Sequence, residues 1–246
     1  MTTTKHEVIS RRLRERIQDG TYPPSSKLPP IPALMTEFAA ARDTVRDAIA
    51  RLTNEGLVTP LRGVGTVVRD TTRIGMAYNP DKPSQVWAIQ TGENPRADRV
   101  VQTGWETADD GIAEALNLAP GTRVLHRIRH QTKGDQLAQI HEQWIPTQLA
   151  EAIKTATGED LGNINQIPSA DLFSQMRAAG TNPAKVTETI TARMPHPDEA
   201  DTLELPPGVP VIRCWRVTRD DRGEPVETSI LTAAADRMSW SYTVPI

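Results

Sequence analysis

"AARDTVRDAIARLTNEGLVTPLRGVGT", residues 40–66, decides how the first part of the chain is read. Val45, Ile49 and Leu52, with Ala48 beside them, make one apolar stripe at helical spacing, which predicts a helix from about 42 to 55. Gly56 ends it, because glycine adopts the left-handed geometry beyond a last helical turn at little cost. "LVTPLRGVGTVV" (57–68) is rich in β-branched residues around "RGVG", which predicts two short strands joined by a glycine turn. Arg42 and Arg46 lie off the apolar stripe and Arg62 lies in the turn. Three cations therefore fall on two neighbouring exposed elements.

Working outward, residues 5–19 carry Val8 or Ile9, Leu13 and Ile17 at helical spacing, with Gly20 and "YPP" as a stop. Residues 30–39 predict a short helix that opens on prolines, tolerated in a first turn, and buries Leu34, Met35 and Phe38. Three helices with a tight second connection, then a hairpin, make a winged helix-turn-helix. In that motif the third helix enters the major groove of DNA. Arg11, Arg12, Arg14 and Arg16 cluster on the first helix, where pairs with Glu7, Glu15 and Asp19 along the same helix account for most of their charge.

The charge distribution agrees. The whole chain carries a net charge of -3, yet residues 1–70 hold eleven basic and eight acidic side chains. A basic end on an acidic body fits a nucleic-acid-facing segment. At 24% charged and 37% hydrophobic residues the chain is globular, and its 246 residues suffice for one or two cores without staples. The single cysteine, Cys214, leaves no disulfide framework or cysteine-based zinc site, which fits a reducing, cytoplasmic setting. No apolar run approaches the roughly 18 residues that span a bilayer. "MTTTKHEVISRRLRERI" lacks the apolar core and cleavage site of a secretory signal, so neither membrane nor export is expected.

Residues 71–95 are turn-rich and read as a linker. From about 96 several hairpins alternate with short helices, which predicts an α+β domain on an antiparallel sheet. "ALNLAPGTRVLHRIRHQTKGDQLAQIHE" is echoed by "TLELPPGVPVIRCWRVTRDDRGEPVETS", pointing to a duplicated helix–turn–strand–strand unit. Arg127 and Arg129 share a strand face, and Glu142 and Glu227 fall in patterns that point inward with them. Four charges converging on one sheet face are costly in a dry core, so they predict either a polar ligand pocket or an internal ion-pair network. Asp236 and Arg237 are weaker candidates for the same pocket. His126, His130 and His141 lack a fourth ligand at fixed spacing, so no metal is assigned.

These segments resemble the GntR family of bacterial transcription regulators, in the HutC-type subfamily whose effector domain is called UTRA and has a chorismate-lyase-like fold. "RDTVRDAIARLTNEGLVTPLRGVGTVV" carries the DNA-binding part of the resemblance; "LNLAPGTRV", "HEQWIP", "LELPPGVPVIR" and "GEPVETS" carry the rest. The resemblance implies a winged helix-turn-helix over 1–72, a linker over 73–95 and a UTRA effector-binding and dimerisation domain over 96–246. It implies DNA contacts by Arg42, Thr44 and Arg46, with Arg62, Gly63 and Gly65 at the wing. It implies effector contacts among Arg127, Arg129, Glu142, Glu227, Asp236 and Arg237. Ala41 stands where the family usually caps the helix with Ser or Thr, Asp43 where it has a neutral polar residue, and Pro30 and Pro32 where helix two has Ser and Arg.

The expected partners are a double-stranded DNA operator, a small polar effector and a second copy of the chain. The expected function is a repressor released from a palindromic operator by that effector; the alternative is a constitutive DNA-binding dimer without one. The chain shows no Ser-His-Asp order, phosphate loop or metal spacing, so neither catalysis nor a cofactor is expected.

Overall fold

The computed structural model describes residues 4–70, 73–77, 98–133, 136–166 and 171–242. The chain forms two compact units. One comprises the chain up to Arg73 together with Met194–Pro210 and Ala235–Arg237; the other comprises Ile74–Arg193, Val211–Ala234 and Met238–Ile246.

The first unit contains α1 (Lys5–Gln18), α2 (Ile31–Phe38) and α3 (Arg42–Asn54), then the hairpin β1 (Val58–Leu61) and β2 (Gly65–Val68). Ile9, Leu13, Leu34, Val45, Ala48, Ile49 and Leu52 pack with Leu28, Val58 and Val68 into one core. Helix α3 buries the stripe that its sequence spacing predicts; of the positions expected in α1 and α2, Ile9, Leu13 and Leu34 are buried, while Ile17, Met35 and Phe38 pack against the core partly buried. A Thr4 capping box with Glu7 opens α1. Ala39 closes α2 in the left-handed conformation (φ 46°, ψ 48°), which makes the sharp turn into α3 without a glycine. Gly63 (φ 77°) and Gly65 (φ 113°) close the hairpin.

The helix-one arginines pair differently from the sequence expectation. Among the described residues only Arg12–Glu15 runs along the helix. Arg14 makes two hydrogen bonds to Glu55 at 2.6 and 2.8 Å, beyond the end of α3, and Arg16 meets Glu37 of α2 at 2.6 Å. Glu7 faces Arg51, and Asp19 accepts from Thr21. The cluster staples three helices together, because these side chains are long enough to cross a helix–helix groove.

Of the second unit, β3 is Ile74–Ala77, β4 Asp98–Thr107, α4 Asp110–Ala115, β5 Arg123–Lys133, β6 Gln136–Pro146, α5 Thr147–Thr157, α6 Leu172–Ala178 and β7 Pro183–Arg193. Helix α7 (Pro197–Thr202) lies in the first unit; β8 (Val211–Asp220), β9 (Pro225–Ala234) and β10 (Met238–Ser241) lie in the second. The stretch expected as a linker thus contains a strand, β3, which pairs in parallel with β10; residues 78–95 lie outside the described residues.

Six strands form the antiparallel sheet in the order β4-β5-β6-β9-β8-β7. This order displays the duplication: β4, β5 and β6 on one side mirror β7, β8 and β9 on the other, joined through β6 and β9. Asn117 (φ 53°) after α4 has its counterpart in Glu204 (φ 49°) after α7, and Gly121 (φ 78°) in Gly208 (φ 87°). Helices α5 and α6 cover one end of one sheet face, with Leu149, Ile153, Phe173 and Met176 packed on Leu125 and Ile145. Helix α4 covers the opposite face through Ile112, Ala113 and Leu116 against Trp144 and Ile230. No described helix is long and apolar enough to cross a membrane.

Candidate functional site

On the first unit, α3 turns its apolar stripe inward, which leaves Arg42 and Arg46 exposed and Thr44 half-buried. Arg62 at the hairpin tip is exposed as well. Among the described residues none of these three arginines has an ion-pair or hydrogen-bond partner, whereas Arg12, Arg14, Arg16 and Arg51 are all paired with carboxylates. Cations left without a protein partner beside an exposed helix N-terminus suit phosphate oxygens and base edges.

Ala41 is the N-cap of α3 and offers no side-chain oxygen, so the first-turn amides keep their hydrogen-bonding capacity; Asp43 stands in that turn. Pro30 precedes α2, and Pro32 lies in its first turn. At the wing, a Cβ on Gly63 or Gly65 would meet nothing within 4 Å, so backbone conformation rather than crowding selects glycine there. Leu61 and Val64 are exposed beside them.

On the second unit, strand register decides which side chains meet. Arg127 pairs with Gln143, Gln143 with Ser229, Ser229 with Arg216, and Arg216 with Glu188. The neighbouring row joins Arg129, His141, Leu231 and Cys214. Directly opposed residues share a face, so Arg127, Arg129 and Glu227 do come together, with His141, Gln143, Ser229, Thr218, Arg216 and Glu188. Glu142 does not: it opposes Ile128 and Ile230 and lies on the face that α4 covers. The expectation of four converging charges is corrected to three, because one position along a strand flips a side chain to the other face.

Asp236 and Arg237 are a second correction. They belong to the first unit, where Asp236 meets Arg69 at 2.5 Å and Arg237 donates to the carbonyls of Leu203 and Glu204 at 2.8 and 3.2 Å. They follow β9 in sequence, but the chain has left the sheet before it reaches them.

The shared face is buried and polar. Glu227, 2% exposed, accepts from Gln143 Nε2 and Thr218 Oγ1, both at 2.8 Å. Glu188 holds Arg216 at 2.5 Å and also accepts from the Tyr242 hydroxyl. Burial, then the guanidiniums of Arg129, Arg216 and Arg127, hold His141 well below the usual histidine range, so its ring is neutral. Both His141 ring nitrogens, Gln143 Oε1, Gln139 Oε1 and Ser229 Oγ are buried without a hydrogen-bond partner. Native interiors leave few such atoms, so a cluster of them on one face marks a place built for polar contact.

His126 and His130 alternate onto the other face from His141, so the three histidines do not converge. There the His126 and Trp144 rings stack at 4.7 Å, and Glu106 bonds both, at 3.0 and 2.7 Å. Sequence reading missed His141, Gln143, Ser229 and Arg216. Counting back in twos from the apolar Ile145 reaches Gln143 and His141, a signal that the neighbouring Glu142 obscured.

Comparison with known proteins places both parts of the chain in known families. Residues 5–68 match the description "Bacterial regulatory proteins, gntR family", and residues 92–239 match the UTRA domain. An uncharacterized HTH-type transcriptional regulator of Streptomyces coelicolor is 30% identical over 97% of this chain and 91% of its own length. The histidine utilization repressor of Pseudomonas aeruginosa is 26% identical over 87% of this chain and 81% of its own length. The crystal structure of PhnF from Mycobacterium smegmatis superposes with a TM-score of 0.58 at 23% identity, covering 96% of this chain and 99% of that one, which speaks to the fold. With a gntR-family match over its helical N-terminal part, a UTRA match over residues 92–239 and a relative 30% identical along nearly its whole length, the chain belongs to the GntR family of bacterial transcriptional regulators, in the group that carries a UTRA domain.

Proposed function

We propose that this regulator is a cytoplasmic repressor that binds a palindromic operator as a homodimer and is released by a small polar effector. The observation that carries the DNA assignment is the contrast among arginines: among the described residues Arg12, Arg14 and Arg16 of helix one and Arg51 of α3 meet carboxylates, while Arg42, Arg46 and Arg62, at the start of α3 and on the wing, are exposed without partners. Arg42 and Arg46 are one helical turn apart, the spacing that lets two side chains enter one groove. Thr44, Gly63 and Gly65 complete the contact, Thr44 through a phosphate and the glycines through close backbone approach. A helix-turn-helix reads one half-site per protomer, so two copies read a palindrome.

The effector reading rests on the buried face of β5, β6, β8 and β9. Arg127 and Arg129 supply cationic hydrogen-bond donors, Glu227 an acceptor, and His141, Gln143 and Ser229 polar atoms that lack protein partners. A small polar molecule satisfies them; an apolar one leaves them orphaned. The effector acts by binding one arrangement of the protein better than another.

A gel shift of the full chain on the DNA upstream of its own gene, across a salt series, tests the first part. Specific binding to a palindrome supports it; weak binding equal for all sequences overturns it. Melting shifts of the full chain with a library of small polar metabolites test the second part, and no shift across the library favours a constitutive binder.

A further inference from the structure

We propose that Arg69 and Asp236 are positioning residues for α3, so that the DNA-reading unit is completed by the segment following β9 rather than ending with the wing. The proposal rests on the reading of α3 as the DNA-contacting helix.

Three contacts within the first unit meet at the C-terminal end of α3. The Arg69 backbone N–H donates to Leu57 O at 3.0 Å, and its Nη1 donates to Gly56 O at 3.4 Å. Its Nη2 lies 2.5 Å from Asp236 Oδ2, with the two side chains 11% and 9% exposed. Arg69 thus holds the residues that end α3 with one part of its fork and Asp236 with the other. Without Asp236 the guanidinium is a buried cation lacking its counter-charge and turns toward water.

The third contact is a backbone approach. A Cβ on Gly208 would lie 2.1 Å from Asn54 O, the last residue of α3, and one on Gly56 would lie 2.8 Å from Val209 Cγ2. The loop after α7 is therefore packed directly on the reading helix. Arg237 secures that loop through the Leu203 and Glu204 carbonyls.

The duplication shows that this is a departure from the sheet's own architecture. In the first copy α4 covers the sheet, and a Cβ on Gly121 would meet only Thr107 Cγ2, at an ordinary 3.8 Å. In the second copy the matching helix, α7, and the matching glycine, Gly208, belong to the unit with the winged helix. The helix–turn element has been reassigned from covering a sheet to bracing α3. Glu227 and Ser229 of β9 stand in the polar face, and the same strand runs on to Ala234 and then Asp236.

The test uses the full-length protein and a duplex that the wild type selects from a random pool, with a scrambled duplex of equal length as reference. Asp236→Asn and Arg69→Gln are expected to lose about tenfold affinity for the selected duplex, with much less change for the scrambled one. Asp236→Glu, which keeps the charge, is expected to recover most of it. Hydrogen exchange of the DNA-free chain is expected to show faster exchange at Glu55–Leu57 in Asp236→Asn, with Leu13 unchanged. Wild-type affinity together with wild-type exchange in Asp236→Asn overturns the proposal, as does equal loss for both duplexes. If Asp236→Asn fails to fold, Arg69→Lys retains a cation without the planar fork, and wild-type discrimination in that variant overturns the proposal. If the wild type selects no sequence, the DNA-reading assignment itself falls; accelerated exchange at Glu55–Leu57 then still reports the brace as a structural contact.

Discussion

Gln143 on β6 donates its amide to Glu227 on β9 across the buried sheet face, 2.8 Å from Nε2 to Oε1, and Thr218 donates to the other carboxylate oxygen. Two neutral donors hold the carboxylate and fix its orientation. Glu227→Ala strands both donors in a buried setting. Orphaned polar groups cost about 1–3 kcal/mol each, so chemical denaturation is expected to show a loss in that range or above it, partly offset if water enters the space.

At the reading helix, Arg42→Ala and Arg46→Ala are each expected to weaken specific operator binding by about 1–3 kcal/mol where the side chain bonds a base edge. Where it bonds a phosphate instead, binding weakens alike for all sequences and the salt slope falls by about 1. Anisotropy titrations across a salt series separate the two. Arg14→Ala, which removes the paired Glu55 contact, should lower melting temperature and leave the salt slope unchanged.

His141 makes stability depend on pH in a defined direction. Its folded-state pKa lies well below the ordinary 6.5, through burial and then the neighbouring arginines. The unfolded chain therefore binds a proton that the folded chain refuses. Above about pH 6.5 neither state is protonated there, and the residue adds no pH dependence; as pH falls below that, stability drops by up to about 1.4 kcal/mol per unit until the folded pKa is reached. A His141→Gln variant should show a flatter stability profile between pH 6.5 and 5, measured by denaturant midpoints. Parallel profiles for the two proteins contradict this assignment.

Ala39 offers a stabilising change. Its left-handed backbone costs a residue with a Cβ about 1–2 kcal/mol, part of which glycine gives back through its own unfolded-state entropy. Ala39 is exposed, so no packing is lost. Ala39→Gly is expected to raise stability by up to about 1 kcal/mol, visible as a higher thermal midpoint. A lower midpoint would show that the turn tolerates alanine without strain.

The sequence by itself determined the elements that depend on local periodicity. The α3 stripe of Val45, Ile49 and Leu52 and the Gly63–Gly65 wing are read from spacings within one helix or turn. So are the alternating strands and their duplication, because the side-chain period of each element is set by its own backbone. Tertiary structure alone decided which face and which unit a residue joins. Glu142 and His141 are adjacent in sequence, and only the pairing of β6 with β5 and β9 puts His141 with Arg129 and Glu142 with Ile128. Arg16 has Asp19 three residues on along its own helix, yet helix packing brings Glu37 to it, and Arg14 meets Glu55 beyond the end of α3. Asp236 follows the polar strand β9 in sequence, but the chain carries it to Arg69. A local pattern cannot specify such partners, because the contact joins segments far apart in the chain and exists only after the cores have packed.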